Sequence, residues 1–419
     1  MQAYPPTVVR PRDPINRIEL AEILRRHELY HAARPGGQRA RLAYRDLTGL
    51  DLSGLNLAEA DLTAALLCDA KLAETNFSGA VLFACNLARA DLRGATLVRA
   101  DLRGSCLREA NLTGADLFDA DLRDGRLARK TRTGEIEYVA VDSESTELVG
   151  ATMTNANLTQ ARLSGSVAAH TDFTDAMMRD TKLVRADLRN ATLNGANLEG
   201  ADMSGANLSG ASLRNAILVR TVLANAEIDR ADMTGALTHS EAGRALAALP
   251  VPFDELLRRH ELWAGSDGAG GEPLDISGYD LRKVGTLAGR QLSAIAGFRT
   301  IFYGMNLEGV ALQAAQLEGA DLRGCRLANA DLRGVNLKGA RLNYAELRDC
   351  NLGPLALRNG RMLPSNLERV DARHADFRGA NLQQVVFRGA NLSSANLTGA
   401  KLEGVDWHEA NLLRAQRSI

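Results

Sequence analysis

Aromatic residues are scarce in this sequence. They make up 4% of 419 residues, although 45% of the residues are hydrophobic. The core must therefore be built from leucine and alanine, with rings expected at its ends, and a stacking platform for single-stranded nucleic acid is disfavoured. Excess charge is absent as well, because 50 Lys and Arg face 51 Asp and Glu and give a net charge of -1. We expect no direct binding of nucleic acid.

Cysteine is sparse and forms no CxxC pair. The five cysteines are Cys68, Cys85, Cys106, Cys325 and Cys350, an odd number that fits a reducing compartment better than a disulfide framework. No stretch approaches the ~18 apolar residues of a membrane span, and residues 1–14 have no signal-peptide core. The sequence predicts a cytoplasmic protein without a membrane span.

A period of five residues dominates the chain instead. Every fifth residue from 42 to 127 is leucine, except for Phe77. The same spacing of large apolar centres runs over 148–233, except at Ala168, and over 302–412, except at Ala372. The residue two positions before each centre is usually small, most often alanine. The repeat is thus close to Ala-(Asp/Asn)-Leu-x-x.

Neither a helix nor a flat strand can bury residues at this spacing. Five residues advance a helix by about 500°, and they reverse the side of a strand. A chain that turns a corner in every unit can bury both the centre and the small residue. Four such sides would close a coil of about 20 residues, stacked at about 4.8 Å.

Segments 90–104 (ADLRGATLVRADLRG) and 196–210 (ANLEGADMSGANLSG) show the repeat most clearly. They resemble the pentapeptide-repeat family. The resemblance implies an all-β solenoid, the right-handed quadrilateral β-helix. Pro354 and Pro364 each follow a centre by two residues, and a corner tolerates the missing N–H.

Two segments are near-copies of each other. Residues 23–30 (ILRRHELY) match residues 256–263 (LLRRHELW). Their apolar spacing predicts amphipathic helices, the first beginning at Asp13-Pro14 and the second near Pro252. Each helix is expected to cap the open edge of a first coil. The predicted domains are a flexible segment 1–12, a module 13–245 with repeats at 42–127 and 148–237, and a module 246–419 with repeats at 276–412.

The repeats are interrupted twice. The phase slips by one residue across the insertion 128–147, where Thr133-Gly134 and the alternation of Ile136 and Tyr138 suggest a hairpin looped out of the coil. A tolerated surface insertion and a partner-binding edge both fit this segment. The second interruption, 293–301, predicts an irregular coil.

One catalytic signature needs a decision. His27-Glu28-Leu29-Tyr30-His31 fits the zinc motif HExxH, but the copy has Ala264 in place of the second histidine. The shared feature is the packing face, so we expect no metal, no cofactor and no catalytic residue. The remaining histidines are expected at the surface: His170, His239, His374 and His408. The interior of a leucine-filled coil also leaves no room for a small-molecule substrate.

Surface charge gives the last signal. Residues 20 apart should stack, which places Asp101 over Asp121 with arginines alongside. Lys338, Arg358 and Arg378 would form a basic column. The predicted partner-binding residues are therefore these three together with Ile136 and Tyr138. Mixed charge that only keeps the surface soluble fits the pattern as well.

The sequence favours a non-enzymatic scaffold that binds protein partners of unknown identity. The alternative comes from the family: members linked to fluoroquinolone resistance mimic B-DNA and bind DNA gyrase. Near-neutral charge and interleaved arginines depart from that pattern. Trp407, Leu412 and Leu413 end the last coil with no helix behind them, which leaves open a homodimer through the C-terminal end.

Overall fold

The computed structural model describes residues 13–125, 128–130, 136–138, 145–240 and 243–417. The chain divides into two compact units, unit 1 (1–240) and unit 2 (241–419). Unit 1 contains β1 (Asp13–Pro14), α1 (Arg17–His31), β2 (Arg45–Asp46), β3 (Ala128–Lys130), β4 (Ile136–Tyr138), β5 (Ile217–Leu218) and β6 (Leu237–Thr238). Unit 2 contains a 3₁₀ turn (Leu246–Ala248), α2 (Phe253–Gly265), β7 (Leu355–Ala356), β8 (Met362–Leu363), β9 (Asn396–Leu397) and β10 (Gln416–Arg417).

Each five-residue unit is a short extended segment followed by a tight turn. Leu92 points inward and is fully buried, and its carbonyl accepts the N–H of Ala95 at 3.0 Å across the corner. Gly94, the third residue of this turn, has a φ of 65°, as a type II turn requires. The predicted corner is confirmed in the units that form the described coils, and it explains why regular strands reach only two or three residues.

The units stack with a period of 20 residues. Asp91 bridges Asn111 in a parallel register, and the Leu92 N–H donates to the Asn111 carbonyl at 2.8 Å. Gly94 donates likewise to Thr113 at 3.1 Å. Four sides of five residues therefore close each coil, and the ladders run along the stack as columns of single bridges.

Leucine and alanine fill both cores. Rings also fit inside the coils, and five phenylalanines are fully buried at centre positions: Phe77, Phe173, Phe302, Phe377 and Phe387. The expectation that rings lie at the ends of the core was wrong, because these five rings are buried inside the stacks. Threonine replaces alanine at several small inward positions, and its hydroxyl donates to a centre carbonyl of the preceding coil, as Thr75 does to Leu52 at 2.8 Å.

Helix α1 begins later than predicted. Asn16 is its N-cap and accepts the N–H of Glu19 at 2.8 Å, whereas Asp13 and Pro14 form β1, parallel to β2. A β-strand partner for Asp13 thus replaces the predicted cap. Leu20, Ile23 and Leu24 pack against the core of unit 1. Helix α2 begins at Phe253, next to Pro252 as predicted, and buries Leu257 and His260.

The insertion of unit 1 carries a pair of antiparallel strands. The β-bridge ladder of the coils continues on both sides of this insertion, since Cys106 bridges Glu147 and Asp121 bridges Arg162. Strands β3 and β4 pair antiparallel, with Ala128 opposite Tyr138. The separation of 41 residues, where 20 is usual, accounts for the phase slip in the sequence.

Segment 293–301 is regular, contrary to the prediction of an irregular coil. Gly297 occupies the centre position, and a Cβ there would lie 2.8 Å from Cδ2 of Leu317. The neighbouring leucine thus fills the missing volume. The extra residue lies one coil earlier, because Asp280 bridges Ile301 at a separation of 21 while Thr286 bridges Asn306 at 20.

A second hairpin, absent from the sequence prediction, interrupts unit 2. Strands β7 and β8 pair antiparallel, with Leu355 opposite Leu363. Leu357 and Met362 satisfy the period of five but lie on this hairpin, with 36% and 52% of their surface exposed. The ten-residue excursion equals two repeat units, so it leaves the phase of the sequence unchanged.

Candidate functional site

Many five-residue units contain their own ion pair. Where a unit reads Asp-Leu-Arg, the guanidinium folds back on the carboxylate two residues earlier. Arg93 donates from Nε and Nη2 to Asp91 at 2.7 and 2.6 Å, which lowers the pKa of Asp91. The same fork occurs in eight more pairs: Asp101–Arg103, Asp121–Arg123, Asp187–Arg189, Asp280–Arg282, Asp321–Arg323, Asp331–Arg333, Asp371–Arg373 and Asp376–Arg378.

These forks neutralise the acidic column. Asp101 and Asp121 are bridged neighbours, as predicted, but Arg103 lies 2.8 Å from Asp101 and 3.9 Å from Asp121. Burial of Asp121 favours its neutral acid, yet hydrogen bonds from Arg123 outweigh that effect and lower the pKa of Asp121. The carboxylates are charged and paired, so this face presents alternating charge.

The predicted basic column does not form. The hairpin at β7–β8 shifts the register by ten residues, so that Asn336 bridges Asn366, a separation of 30. Lys338, Arg358 and Arg378 consequently do not stack. The prediction was wrong because it assumed a constant separation of 20 across a segment that leaves the coil.

Each of the three cations has a separate environment. Lys338 Nζ lies 3.0 Å from Glu368 Oε2 in the next coil. Arg378 forks its own Asp376 at 2.9 and 2.7 Å, which lowers the pKa of a carboxyl group that burial alone would raise. Arg358 lies near the tip of the hairpin. Partner binding by these three residues stays a prediction, although they do not form the predicted basic column.

Ile136 and Tyr138 lie on β4. The backbone places Ile136 opposite Lys130 and Tyr138 opposite Ala128. The side chains of both strands lie outside the described residues, as does the predicted turn at Thr133-Gly134. Contact of this strand with a partner stays a prediction.

The histidines of the two helices act as backbone acceptors. His27 Nδ1 accepts the N–H of Ala40 at 3.1 Å, and His260 Nδ1 accepts the N–H of Leu274 at 3.0 Å. Both rings are fully buried. Each histidine therefore fastens its helix to the chain that enters the first coil.

The zinc motif has no metal-binding geometry. His31 Nε2 faces the Ala58 carbonyl at 3.0 Å, and within 13–125, 145–240 and 243–417 no group of His, Cys, Asp or Glu is arranged to hold a metal ion. His374 lies outside the inward positions, as predicted, but it is half-buried rather than fully exposed. This ring stacks on Tyr344 with centroids 4.9 Å apart, and burial, aided by the charge of Arg373, lowers its pKa to about 4.

The hairpin Leu355–Leu363, called the unit-2 hairpin below, was missed by sequence reasoning. A usable signal was present in Asn359-Gly360, a strong turn dipeptide flanked by apolar residues. Arg358 on its tip lies 2.8 Å from Asp267, and both side chains are largely exposed. Exposed pairs of this kind contribute little to stability.

Among the described residues, no further coil of the same unit stacks on the last coil of either unit. In unit 1, the N–H groups of Leu223, Ile228 and Met233 have no backbone acceptor among the described residues, and Ile228 is half exposed. In unit 2, Leu402 and Trp407 are only partly buried. The end of unit 1 thus combines apolar surface with backbone donors that lack a backbone acceptor in the described part of the chain, and the end of unit 2 exposes apolar surface.

These observations define a class of protein: a solenoid of four-sided β-coils whose side chains fill the interior and whose surface consists of ladders, forks and inserted hairpins. A family model described as "Pentapeptide repeats (8 copies)" matches residues 46–124, 146–237, 315–353 and 365–416. The chain therefore belongs to the pentapeptide-repeat family, whose members fold as right-handed β-helices.

Solved structures of the same family resemble the chain in part. A pentapeptide repeat protein from the cyanobacterium Cyanothece 51142 is 30% identical over 30% of this chain and 86% of its own, with a TM-score of 0.24. One from Nostoc PCC 7120 is 36% identical over 27% and 84%, with a TM-score of 0.20. QnrB1, described as a plasmid-mediated fluoroquinolone resistance protein, is 22% identical over 46% and 91%, with a TM-score of 0.26.

A comparison with curated proteins finds no match. In the described residues, no helix has the length and apolar character needed to span a membrane.

Proposed function

We propose that this chain is a non-enzymatic scaffold that binds other proteins through its surface. The observation that supports this most directly is the filled interior: apart from the last coil of each unit and the inserted hairpins, the large centres and small inward residues are almost completely buried. A coil filled in this way has no internal cleft for a substrate. Its outward side chains and inserted hairpins are free to vary without disturbing the core.

Each unit is proposed to be a separate module capped by its helix. Supporting this, α1 and α2 both precede a first coil and both supply a buried histidine that accepts a backbone N–H of the entering chain. Solenoids require such end caps for solubility. Expression of 13–240 and of 243–417 as separate chains should give two cooperatively folding proteins. Aggregation of both pieces would contradict the modular proposal.

The alternative of a DNA-mimicking gyrase modulator is less well supported. Mimicry of B-DNA requires rows of uncompensated negative charge, whereas the Asp-Leu-Arg forks pair aspartates with arginines along both units. A DNA supercoiling assay separates the two functions. We expect no effect on gyrase at a large molar excess of this chain, and inhibition would favour the mimic.

The open end of unit 2 is proposed to mediate a homodimer. Leu402, Trp407 and Leu412 are partly buried there, and Leu413 is 66% exposed. Sedimentation velocity should give a dimer for the wild type and a monomer for Leu413→Arg. A monomeric wild type at tens of micromolar would contradict this proposal.

We propose a cytoplasmic location because the cysteine thiols are free. All five cysteines are free, and burial raises the pKa of the Cys325 and Cys350 thiols. Buried free thiols persist most readily in a reducing compartment. Fractionation of the native cell should recover the chain in the cytosol.

Affinity capture followed by reconstitution tests the scaffold. A partner recovered from the native cell should bind the purified chain at fixed stoichiometry in calorimetry, with no chemical change to either protein. Excision of 124–144 joins Arg123 to Ser145 and restores the period of five, so it should weaken binding while the circular dichroism spectrum of the coils remains. Failure of every captured protein to bind after purification would refute the scaffold.

A further inference from the structure

The unit-2 hairpin is built into its coil in the same way as the insertion of unit 1. In both places the chain leaves one residue after a centre and returns at a fully buried hydroxyl residue, Thr146 or Ser365. The Thr146 hydroxyl accepts the N–H of Gly104 at 3.0 Å. The Ser365 hydroxyl accepts the N–H of Gly334 at 2.9 Å and donates to the Leu332 carbonyl at 3.0 Å. The stack beneath each excursion is therefore closed by hydrogen bonds.

The base of the hairpin is anchored to the stack. A Cβ at Gly334 would lie 2.9 Å from Leu355 Cβ and 3.0 Å from Leu363 Cδ2, so glycine allows both leucines to rest on the backbone of the preceding coil. Leu355 and Leu363 are partly buried and face each other as a strand pair. The hairpin thus projects from a fixed base.

The tip presents apolar surface and positive charge together. Leu357 and Met362 are exposed, and the Leu357 N–H donates to the Arg361 carbonyl at 2.8 Å, which closes the turn. Arg358 and Arg361 lie on this turn, and residues 354–364 contain no Asp or Glu. Arg358 pairs with the exposed Asp267 outside the hairpin, whereas many arginines of the described coils fork an aspartate of their own unit.

We propose that the unit-2 hairpin is a protein-docking element that takes an acidic segment of a partner carrying a large apolar side chain. This proposal rests on the scaffold function and names one of its contact sites. Leu357 and Met362 form the apolar contact, and Arg361 pairs with a carboxylate of the partner. Arg358 exchanges its exposed pair with Asp267 for a second carboxylate of the partner. Methionine and arginine are enriched at protein interfaces, and guanidinium groups pair with carboxylates through two hydrogen bonds.

Charge and shape favour a protein over other polyanions. Two cations on a tip with exposed Leu357 and Met362 can neutralise few phosphates, whereas nucleic-acid binding depends on many such contacts. Stable attachment to an anionic membrane likewise requires a larger basic or apolar surface. A single acidic peptide matches the charge and the size of this tip.

Peptide selection tests the proposal directly. A random twelve-residue peptide library is panned on the full chain, with counter-selection on a variant that lacks 354–363 and carries Pro364→Gly. This excision joins Gly353 to the new glycine, which Ser365 follows directly. The result is one regular five-residue unit with a glycine at its corner, so the variant should keep its circular dichroism spectrum. We expect enriched peptides with net negative charge and a Leu, Ile or Phe.

Binding measurements then assign the contacts. Selected peptides should bind the wild type with a Kd of about 10–100 μM and bind the excised variant at least about tenfold more weakly. Leu357→Ser and Arg361→Gln should each weaken binding several-fold. The matched controls Ile18→Ser, another exposed apolar residue, and Arg99→Gln, another exposed arginine, should leave it unchanged.

The other outcomes bear on the docking element and on the scaffold function separately. Absence of enriched acidic peptides, or equal binding by the excised variant, would overturn it. So would hairpin-dependent binding of phosphatidylserine vesicles or duplex DNA in preference to the peptides. A captured partner that binds the excised variant at full strength would overturn the hairpin site and leave the scaffold function standing. Peptide binding without any cellular partner would do the reverse.

Discussion

Replacement of His260 by phenylalanine should loosen α2 from unit 2. The His260 ring is fully buried, and its Nδ1 accepts the N–H of Leu274, which is itself 5% exposed. Phenylalanine keeps the ring volume but removes the acceptor and leaves that N–H without a partner. A buried donor left unsatisfied costs about 1–3 kcal/mol of the free energy of unfolding.

The same contact makes the helix sensitive to acid. Because Nδ1 accepts a hydrogen bond, the neutral ring carries its proton on Nε2, which makes no well-formed hydrogen bond among the described residues. Burial lowers the pKa of His260, and Glu261 and the nearby backbone of Leu292 and Ser293 offset only part of that effect. The folded state thus binds fewer protons than the unfolded state below the usual pKa of about 6.5. Stability is fully present above that pH and falls as the pH decreases, by at most about 1.4 kcal/mol per unit.

Trp263 provides a local probe. Its ring stacks on His260 with centroids 5.5 Å apart, and the chain has only 2 Trp. In a Trp407→Phe background, urea unfolding followed by tryptophan fluorescence reports on α2. We expect His260→Phe to lower the midpoint at pH 8 and to flatten its decline between pH 6.5 and 5.5.

Asparagine at position 260 is the matched control. Its Oδ1 can accept the Leu274 N–H as Nδ1 does, but it does not titrate. His260→Asn should retain more stability than His260→Phe at pH 8 and should also lose the decline in acid. A midpoint that His260→Phe leaves unchanged, or an acid decline that persists in both variants, would refute the role of this histidine.

Three further changes test the coil itself. Leu92→Ala should cost about 2–5 kcal/mol in urea unfolding because it opens a cavity in a filled coil, whereas Ile18→Ala at an exposed position of α1 should stay within about 0.5 kcal/mol. Gly334→Val should displace the unit-2 hairpin and speed its cleavage by trypsin, while Gly339→Val, with a similar positive φ but no atom within 4 Å of a Cβ, should not. Thr75→Val should cost about 0.5–1.5 kcal/mol through the lost hydrogen bond, and an unchanged midpoint would contradict that bond.

Periodicity predicted the coil because it depends on a local rule. A large residue in every fifth position and a small one two places earlier define the inward positions without knowledge of any distant contact. The rule also located the insertion of unit 1, since 21 added residues shift the phase by one. It could not locate the unit-2 hairpin, because ten added residues preserve the phase and place Leu357 and Met362 where centres belong.

Predictions that required a fixed stacking register between coils failed more often than predictions that required only the sequence of a single five-residue unit. The column of Lys338, Arg358 and Arg378 required a constant separation of 20 residues, and one excursion removed it. The pairing of Asp91 with Arg93 needs only one residue between the partners, so no insertion elsewhere can break it. The helix ends were predicted with mixed success. Pro252 correctly marked the start of α2, but Asp13 pairs with β2 and does not begin α1.

The same distinction bears on where binding specificity can arise. Forks inside single units make the sides of the coil alternate in charge, whatever the register, and many of their arginines already hold a carboxylate. A partner that bound there would have to displace pairs that the chain satisfies internally. The unit-2 hairpin differs, because it exposes apolar side chains and contains no acidic residue of its own. The pair that Arg358 makes with Asp267 is exposed on both sides and contributes little to stability. In this protein the repeat units pair one another's charges and backbone hydrogen-bonding groups. A partner therefore gains the most binding free energy where the chain departs from the repeat.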